Sequence, residues 1–324
     1  MNKNSISLTL HFEQTFLFPQ LSASKSNFYN CTLFVYTCCD LTEMQRNFFY
    51  PGRQFTIATK HCKERVIEPL FKGALGLDLV PISIDTDVLG TFSGEIARLL
   101  SPVDTLRAKC DLAFRESGVS LVISSEGSFG PHPSLSIVPA DEEFLMLKDY
   151  DNDIEIIARS ISTQTNFLSS SISDKHDLIA FTEKCGFPEH AIILRCSKNL
   201  HSVVKGINDM KFLLKEFETM QLDCDSIIAE TDMRALFNPT RMLVIEQACK
   251  ELLHKIKSEC PNCQIPGYDV SSVVAGLPCE RCSAPTRSPL AALLTCKKCG
   301  FSSEKKFPLN KEHEDPTYCD FCNP

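Results

Sequence analysis

The chain has 324 residues and a formal net charge of −8, and 43% of its residues are hydrophobic. This composition is typical of a folded soluble protein, and the length allows two domains or one large domain with an appendage. The acidic balance argues against broad, non-specific binding of nucleic acid or anionic lipid, but it leaves room for a local basic pocket. No apolar run approaches the ~18 residues of a membrane span, and the N-terminus lacks a secretory signal pattern, so we expect a cytoplasmic protein without membrane contact.

The first 50 residues differ from the rest of the chain. They are rich in Ser, Asn, Thr and Phe and show no lasting periodicity. We therefore divide the chain into an N-terminal extension of undefined role (1–50), an α/β domain (51–258) and a metal-binding module (259–324). Met44 is an alternative start, because the periodic pattern begins just after it.

A polar connection follows the first predicted strand, Gln54–Ala58. The apolar positions recur at helical spacing from Lys63 onward, so the connection joins a strand end to a helix start. Free backbone N–H groups at a helix start favour an anion, and Lys60 and Lys63 add positive charge. The connection, which also holds His61 and Glu64, is thus a candidate phosphate site; a plain solvated turn is the alternative.

Acidic residues follow the next apolar run. Asp85, Asp87 and Glu95 could together hold a hard cation such as Mg²⁺ or Mn²⁺. Their spacing does not fit an EF-hand, and Asp and Gly are also common in ordinary turns.

The stretch Ser124–Pro133 is the most unusual part of the α/β domain. It follows the predicted buried strand Val119–Ile123, and α/β proteins collect ligands beyond the carboxyl ends of strands. Within it, Glu126 is a candidate general base or metal ligand, and Ser128 and His132 are candidates for substrate contact. Ser128 does not form a Gly-x-Ser-x-Gly nucleophile elbow, because Glu126 stands where that motif needs glycine.

Alternating helices and strands surround this stretch. A helix is predicted from about Asp104 to Glu116, with Lys109 off its apolar stripe. The acidic run Asp141–Glu143 is predicted as an exposed turn before a strand. The further predicted elements are the strands Phe144–Leu147, Ile154–Ile161, Ala191–Cys196 and Ser226–Ala229, and the helices Lys175–Cys185 and Lys205–Thr219.

A second basic cluster precedes the last predicted helix. Asn238 followed by Pro239 is typical of a helix N-cap with proline at the first helical position. Arg234 and Arg241 bracket this start, where a phosphate or carboxylate would find two guanidinium groups. The alternative is that Asp232 pairs with one of the arginines to brace the turn.

Four Cys-x-x-Cys pairs end the chain and hold eight of its 17 cysteines. In a cytoplasmic protein such pairs favour metal binding over a disulfide framework, and four of them predict two tetrahedral zinc sites. We favour an inner site of Cys279, Cys282, Cys296 and Cys299 and an outer site of Cys260, Cys263, Cys319 and Cys322. Sequential pairing stays open. Closed four-cysteine sites leave no position for substrate water, so both zinc ions are predicted to be structural.

Five segments together resemble a bacterial family of uncharacterised proteins. They are Ala58–Glu64, Asp85–Asp87 with Gly90–Glu95, Ser125–Pro133, Asp232–Met242 and the closing Cys-x-x-Cys-Asn-Pro. The resemblance covers about residue 50 to the end of the chain, and it implies no established activity.

Residues 54–130 also resemble the first half of the inosine/xanthosine triphosphate pyrophosphatase-like superfamily. The likeness rests on Thr59-Lys60-His61-Cys62-Lys63, Thr91-Phe92, Ala108-Lys109 and Glu126-Gly127-Ser128. It implies that Lys60, Lys63 and Lys109 contact phosphates. It also implies that Glu126, with Glu64 or Asp87, holds Mg²⁺. The chain departs from that superfamily where His61 replaces an asparagine and one acid replaces a pair, and the later half of the pattern is absent.

Two functions follow from these features. The first is a metal-assisted hydrolase of a phosphorylated, nucleotide-like small molecule. Its candidate catalytic residues are Glu126, Asp87, Glu64, His61 and Asp232. Its candidate substrate-binding residues are Lys60, Lys63, Lys109, Ser128, His132, Arg234, Asn238 and Arg241. The second is a non-enzymatic adaptor whose zinc module contacts protein or nucleic acid through the basic face of Lys297, Lys298, Lys305 and Lys306.

Overall fold

The computed structural model describes residues 49–90, 99–197 and 202–324. The predicted extension up to residue 48 and the residues Thr91, Phe92 and Glu95 lie outside this range. The strands are β1 (Gln54–Ala58), β2 (Asp78–Leu79), β3 (Leu121–His132), β4 (Leu135–Asp149), β5 (Ile154–Ser162), β6 (Ser169–Ile172), β7 (Ile192–Cys196), β8 (Val203–Ile207), β9 (Ile227–Thr231), β10 (Asp269–Ala275), β11 (Pro289–Thr295) and β12 (Ser302–Lys306). The α-helices are α1 (Glu64–Leu75), α2 (Pro102–Ser117), α3 (Lys175–Cys185), α4 (Met210–Asp223) and α5 (Pro239–Lys257).

The first sheet has the strand order β2-β1-β3-β4-β5. β1 runs parallel to β2 and β3, and the remaining pairs are antiparallel. α1 and α5 cover one face, where Phe55, Leu145 and Ile245 share a core, and α2 covers the other, where Val122 packs with Leu106. The predicted mixed α/β class is confirmed, with the parallel pairing confined to three strands.

The β3–β4 hairpin corrects two expectations. Ser124–Pro133 is not a loop beyond a strand end, because β3 continues to His132 and pairs with β4 along its whole length. Asp141–Glu143 is not an exposed turn, because it belongs to β4 and both Asp141 and Glu143 are fully buried. The pairing with a long partner strand supplies the backbone hydrogen bonds that a loop would have sought from water.

The second sheet is antiparallel, in the order β6-β9-β7-β8. Together with α3 and α4 it encloses a core of its own. The predicted helix Lys205–Thr219 begins later than expected, because Lys205 lies in β8 and α4 starts at Met210. A disulfide joins Cys196, the last residue of β7, to Cys224 at the end of α4.

The C-terminal module begins where α5 ends. β10, β11 and β12 form an antiparallel meander, and one cysteine knuckle precedes or follows each strand. Within the described ranges, every helix falls short of the length and apolarity that a membrane crossing demands.

Candidate functional site

Three distant segments meet on the face of the first sheet that α1 and α5 cover. Lys63, which precedes α1, donates from Nζ to Ser125 Oγ at 2.9 Å. Arg241, in the first turn of α5, donates from Nε to Glu143 Oε1 at 2.6 Å, and Lys63 Nζ lies 3.9 Å from the other oxygen of Glu143. All these side chains are buried. We call Lys63, Asp141, Glu143 and Arg241 the buried charge cluster.

The alternation of β3 and β4 explains why these residues converge. Successive side chains of a strand point to opposite faces, so Ser125 and Gly127 share a face with Asp141 and Glu143. Gly127 stands directly opposite Glu143 in the hairpin. A Cβ at Gly127 would lie 2.4 Å from both Arg241 Nη2 and Glu143 Oε1. Glycine is therefore needed at position 127, because a side chain there would occupy the space of the Arg241–Glu143 ion pair.

Asp141 is the least satisfied member of the cluster. Among the residues that the structure describes, neither carboxylate oxygen of Asp141 has a hydrogen-bond partner, and Glu143 Oε2 has none either. Burial raises the pKa of Asp141 well above its ordinary value, and the negative charge of Glu143 adds to the rise. Burying a carboxyl group without hydrogen-bond donors lowers the stability of the folded state, so Asp141 destabilises the protein at this position.

Lys63 is perturbed in the opposite direction. Burial lowers the pKa of Lys63 to about 7; the charge of Glu143 opposes this shift, and the charges of Arg241 and Lys109 add to it. An amine that titrates near neutrality can hold a phosphate in its charged form or transfer a proton, and perturbed pKa values of this kind are typical of functional sites.

The loop before Lys63 carries the other residues of the first predicted cluster. Lys60 Nζ contacts Asp85 Oδ1 at 2.9 Å and Asp87 Oδ2 at 2.5 Å, so both carboxylates are engaged by a lysine. His61 Nε2 lies 3.9 Å from Asp87 Oδ1. Burial lowers the pKa of His61 to about 4 even though Asp87 opposes the shift, so the imidazole is neutral at pH 7.

Glu126 lies on the opposite side of β3 from Ser125. Its carboxylate is held by Lys109 of α2, whose Nζ also donates to Ser125 O at 3.0 Å. β1 pairs with β3 only as far as Ser124, so Glu126 lies two residues beyond the end of the parallel pairing. The charge of Lys109 lowers the pKa of Lys63, and the charge of Glu126 raises it.

The remaining candidates of β3 and α1 are less closely connected to the cluster. Ser128 is half-buried farther along β3, and Glu64 is a half-buried first residue of α1. His132 lies at the tip of the hairpin, where its Nδ1 accepts a hydrogen bond from Ser134 N at 3.1 Å.

The Asp232–Asn238 segment has well-defined structural contacts. The buried Asp232 accepts from Gly206 N at 3.0 Å and from Arg234 Nη2 at 2.6 Å. Asn238 caps α5, as predicted, because its Oδ1 accepts from Arg241 N at 3.0 Å. Asn238 also donates to Asn166 Oδ1 at 2.8 Å. These contacts fix the position of the helix start that carries Arg241.

A cavity of about 250 Å³ lies between β5 and the N-terminal half of α5. Its lining residues are Ser160, Ile161, Ser162, Gln164, Thr240, Leu243, Val244 and Gln247. Ser160 and Ser162 are the β5 residues directly opposite Glu143 and Asp141. The cavity therefore reaches the strand positions next to the two buried carboxylates.

The zinc ligands form two groups, but not the groups that we favoured. One group is Cys260, Cys263, Cys296 and Cys299, and the other is Cys279, Cys282, Cys319 and Cys322. The inner and outer pairing is therefore wrong, and so is sequential pairing. The reason is the meander: each strand carries the chain from one end of the module to the other, so alternate knuckles meet.

The sulfur positions fit zinc. Sγ–Sγ distances are 3.7 Å for Cys260–Cys299 and 3.6 Å for Cys263–Cys296 in the first group. In the second group they are 3.9 Å for Cys279–Cys322 and 3.7 Å for Cys282–Cys319. A tetrahedron with zinc–sulfur bonds of about 2.3 Å has sulfur atoms about 3.8 Å apart. Each knuckle is closed by a hydrogen bond to the carbonyl of its first cysteine; the donors are Gln264 N, Ser283 N, Gly300 N and Asn323 N. The geometry of both four-cysteine groups thus suggests zinc binding.

Asp141 and Glu143 were missed as site residues. The local signal was weak: residues 144–147 are all apolar and predict a strand, but the acids before them show no apolar alternation. Three consecutive acids outweighed that signal and suggested a turn.

Comparison with known proteins gives a family but no activity. No curated protein matches the chain. A domain family described as a domain of unknown function, DUF6671, matches residues 109–324, which include Asp141, Glu143, Arg241 and all eight zinc ligands. That match spans more than half of the sequence, and the chain therefore belongs to the DUF6671 family.

Proposed function

We propose that the α/β part of the chain is a divalent-cation-assisted hydrolase of a phosphorylated, nucleotide-like small molecule. The observation that carries the proposal is the convergence of two buried cations, Lys63 and Arg241, at the N-termini of α1 and α5. Helix N-termini present unpaired N–H groups and positive potential, and buried cations beside them favour a bound phosphate.

Each residue of the site has a role in this reaction. Lys63 and Arg241 neutralise phosphate charge that develops on the leaving group. The neutral His61 lies in the loop before Lys63, and its ring nitrogens can accept or donate a proton. The likeness of residues 54–130 to nucleoside triphosphate pyrophosphatases supports the phosphate role of Lys63 and adds Lys109 and Glu126 on the other side of β3.

A substrate panel tests the proposal. Zinc-loaded full-length protein is assayed with nucleoside triphosphates, nucleoside diphosphates and phosphosugars, each with Mg²⁺ or Mn²⁺. Lys63→Met keeps the length and packing of the side chain but removes its charge, and we expect it to lower kcat/KM about 100-fold or more. Lys72→Met, at an exposed position of the same helix, is the matched control and should retain wild-type activity.

Two outcomes would contradict the hydrolase. One is the absence of turnover on every substrate by folded, zinc-loaded protein. The other is turnover that Lys63→Met leaves unchanged, which would place the reaction elsewhere. Glu126→Gln then tells which side of β3 the reacting phosphate uses, since Glu126 contacts α2 through Lys109 and Lys63 does not.

A second candidate function is binding of a macromolecule by the zinc module. The observation that favours it is β10, an edge strand whose Val270, Val273 and Val274 are about half exposed. Lys305 and Lys306 of β12 are also exposed, whereas Lys298 Nζ is engaged with Asn152 O at 2.9 Å. Retention of single-stranded RNA or duplex DNA that is lost in Lys305→Glu/Lys306→Glu, without phosphate turnover, would favour this function over the hydrolase.

A further inference from the structure

The buried charge cluster contains three oxygen atoms that lack a donor. They are both carboxylate oxygens of Asp141 and Oε2 of Glu143, and each is shielded from solvent in the described structure. The neighbouring cations donate to other atoms. Arg241 donates to Glu143 Oε1 and to Met233 O, and Lys63 donates to Ser125 Oγ while lying 3.9 Å from Glu143 Oε2. Buried carboxylate oxygens that accept no hydrogen bond are costly, and they offer ligand atoms to a hard cation.

We propose that Asp141 and Glu143 form a binding site for a divalent cation such as Mg²⁺ or Mn²⁺, entered from the cavity between β5 and α5. The site deepens the proposed function and rests on it for its role, because it supplies the cation that the hydrolysis requires. Earlier expectations placed this cation at Glu126, Glu64 or Asp87, but Glu126 and Asp87 are engaged by Lys109 and Lys60.

The two side chains are arranged for a shared ligand. They project from the same face of β4, two residues apart, which is about 7 Å along a strand. Hard cations prefer carboxylate oxygens, and Mg²⁺ commonly takes one or two carboxylates and completes its octahedron with water and substrate phosphate. Three protein oxygens therefore leave room for both.

The neighbourhood provides access and a place for the substrate. Ser160 and Ser162, opposite Glu143 and Asp141, line the cavity of about 250 Å³. Lys63 and Arg241 both pair with Glu143, so they are close enough to hold a phosphate that the cation would polarise. A divalent cation beside two basic side chains is an arrangement that phosphoryl transfer uses.

One other acidic group among the described residues has metal-like spacing. Asp174, His176 and Asp177 lie close together but are exposed. Asp174 is the N-cap of α3 and accepts from Asp177 N at 2.9 Å. This group therefore has a structural explanation, and it serves as a control.

Direct binding of Mn²⁺ tests the site without relying on activity. Zinc-loaded full-length protein is titrated with Mn²⁺, and free Mn²⁺ is followed by electron paramagnetic resonance. We expect one site per chain beyond the zinc sites, competed by Mg²⁺. Asp141→Asn should weaken Mn²⁺ binding about 10-fold or more, and Glu143→Gln should weaken it similarly. Asp141→Asn removes no hydrogen bond of the described structure, so folding is preserved, and a thermal melt checks this.

The matched control is Glu142→Gln. Glu142 lies between the two proposed ligands but on the opposite face of β4, where Arg159 holds it. Glu142→Gln and Asp174→Asn should bind Mn²⁺ like the wild type. Absence of a Mn²⁺ site, or equal binding by wild type and Asp141→Asn, would overturn the proposal and leave Asp141 as a neutral buried acid.

The experiments distinguish failure of the proposed cation site from failure of the proposed hydrolase function. Mn²⁺ binding that depends on Asp141, in a protein that hydrolyses none of the phosphorylated substrates, upholds the site and contradicts the hydrolase. Metal-dependent hydrolysis that Asp141→Asn leaves unchanged upholds the hydrolase and overturns this site.

Discussion

At the scale of single residues, Gly127 determines whether the buried charge cluster can assemble. A methyl group there would collide with Arg241 Nη2 and Glu143 Oε1, and both side chains are buried and held by other contacts. We expect Gly127→Ala to lower the free energy of unfolding by about 1–3 kcal/mol, because the ion pair must shift. Urea unfolding at constant m-value measures the change.

The control for this prediction lies on the same strand. Gly130 has no atom within 4 Å of an added Cβ. Gly130→Ala should be neutral or slightly stabilising, since alanine restricts the unfolded chain. Equal destabilisation by both substitutions would mean that β3 resists any side chain and that the ion pair is not the cause.

His61 gives a prediction about pH. Its pKa in the folded protein is about 4, below the ordinary value of 6.5, so the unfolded chain binds the proton more tightly. His61 therefore contributes stability that is fully present above pH 6.5 and is lost as the pH falls through 4. Between about pH 7 and pH 4.5, the wild type should lose about 1–2 kcal/mol more than His61→Gln in urea unfolding.

The exposed His254 of α5 is the control for that pH dependence. His254→Gln should lose stability on acidification in parallel with the wild type. If His61→Gln follows the wild type as well, His61 is not shielded from water in solution.

Residue-level reasoning found part of the candidate site. Lys63 and Arg241 were predicted because helix starts with basic residues have a local signature, and Asn238 before Pro239 marks the start of α5 without any tertiary information. The partner of Lys63 and Arg241 was not predictable in this way. Glu143 meets them only through strand pairing, and no local rule says which acid an arginine 98 residues away will reach.

At the scale of elements, the meander decides which knuckles share a metal ion. We expect that Cys260→Ala combined with Cys299→Ala removes one zinc ion per chain, because both belong to one site. Cys260→Ala combined with Cys319→Ala should remove both ions. Zinc content after gel filtration, measured by mass spectrometry of the metal, checks the prediction.

The rejected pairings give different zinc counts. With an inner and an outer site, the Cys260/Cys299 variant would lose both ions and the Cys260/Cys319 variant only one. With sequential pairing, both variants would lose both ions.

The pairing of the four cysteine knuckles could have been predicted from the sequence. The segments between knuckles, Asp269–Ala275 and Pro289–Thr295, have the length and β-forming residues of strands. Each strand reverses the direction of the chain, so an odd number of strands separates knuckles at opposite ends. The favoured pairing rested on the spacing between the cysteines alone. That spacing does not show in which direction the chain runs between two knuckles.

At the scale of the whole molecule, the knuckle loop of the first four-cysteine group packs against the α/β core. Ile265, in the first knuckle loop, packs against the core beneath α5, and Lys255 Nζ meets Asp269 Oδ2 at 2.6 Å. Gly267 lies so close to Ile156 of β5 that a Cβ would come within 2.9 Å. The sequence separates the module from the domain at residue 258, whereas these contacts cross that point.

The fold class could be predicted from periodicity, because a mixed α/β chain shows alternating helix and strand patterns. The division of the strands of the α/β part into two sheets could not be predicted in this way. β6 and β8 are short strands of four and five residues, and their polar or mixed sequences carry little signal. Long-range pairing with β9 and β7 defines them.

The helix α5 joins the buried charge cluster to the C-terminal module. It spans 19 residues, about 28 Å, without a break, and its first turn holds Arg241 while its last turn leads into Cys260. A helix of this length behaves as a stiff rod, so a tilt at one end displaces the other. The chain thus joins Arg241 to the first four-cysteine group through one continuous helix.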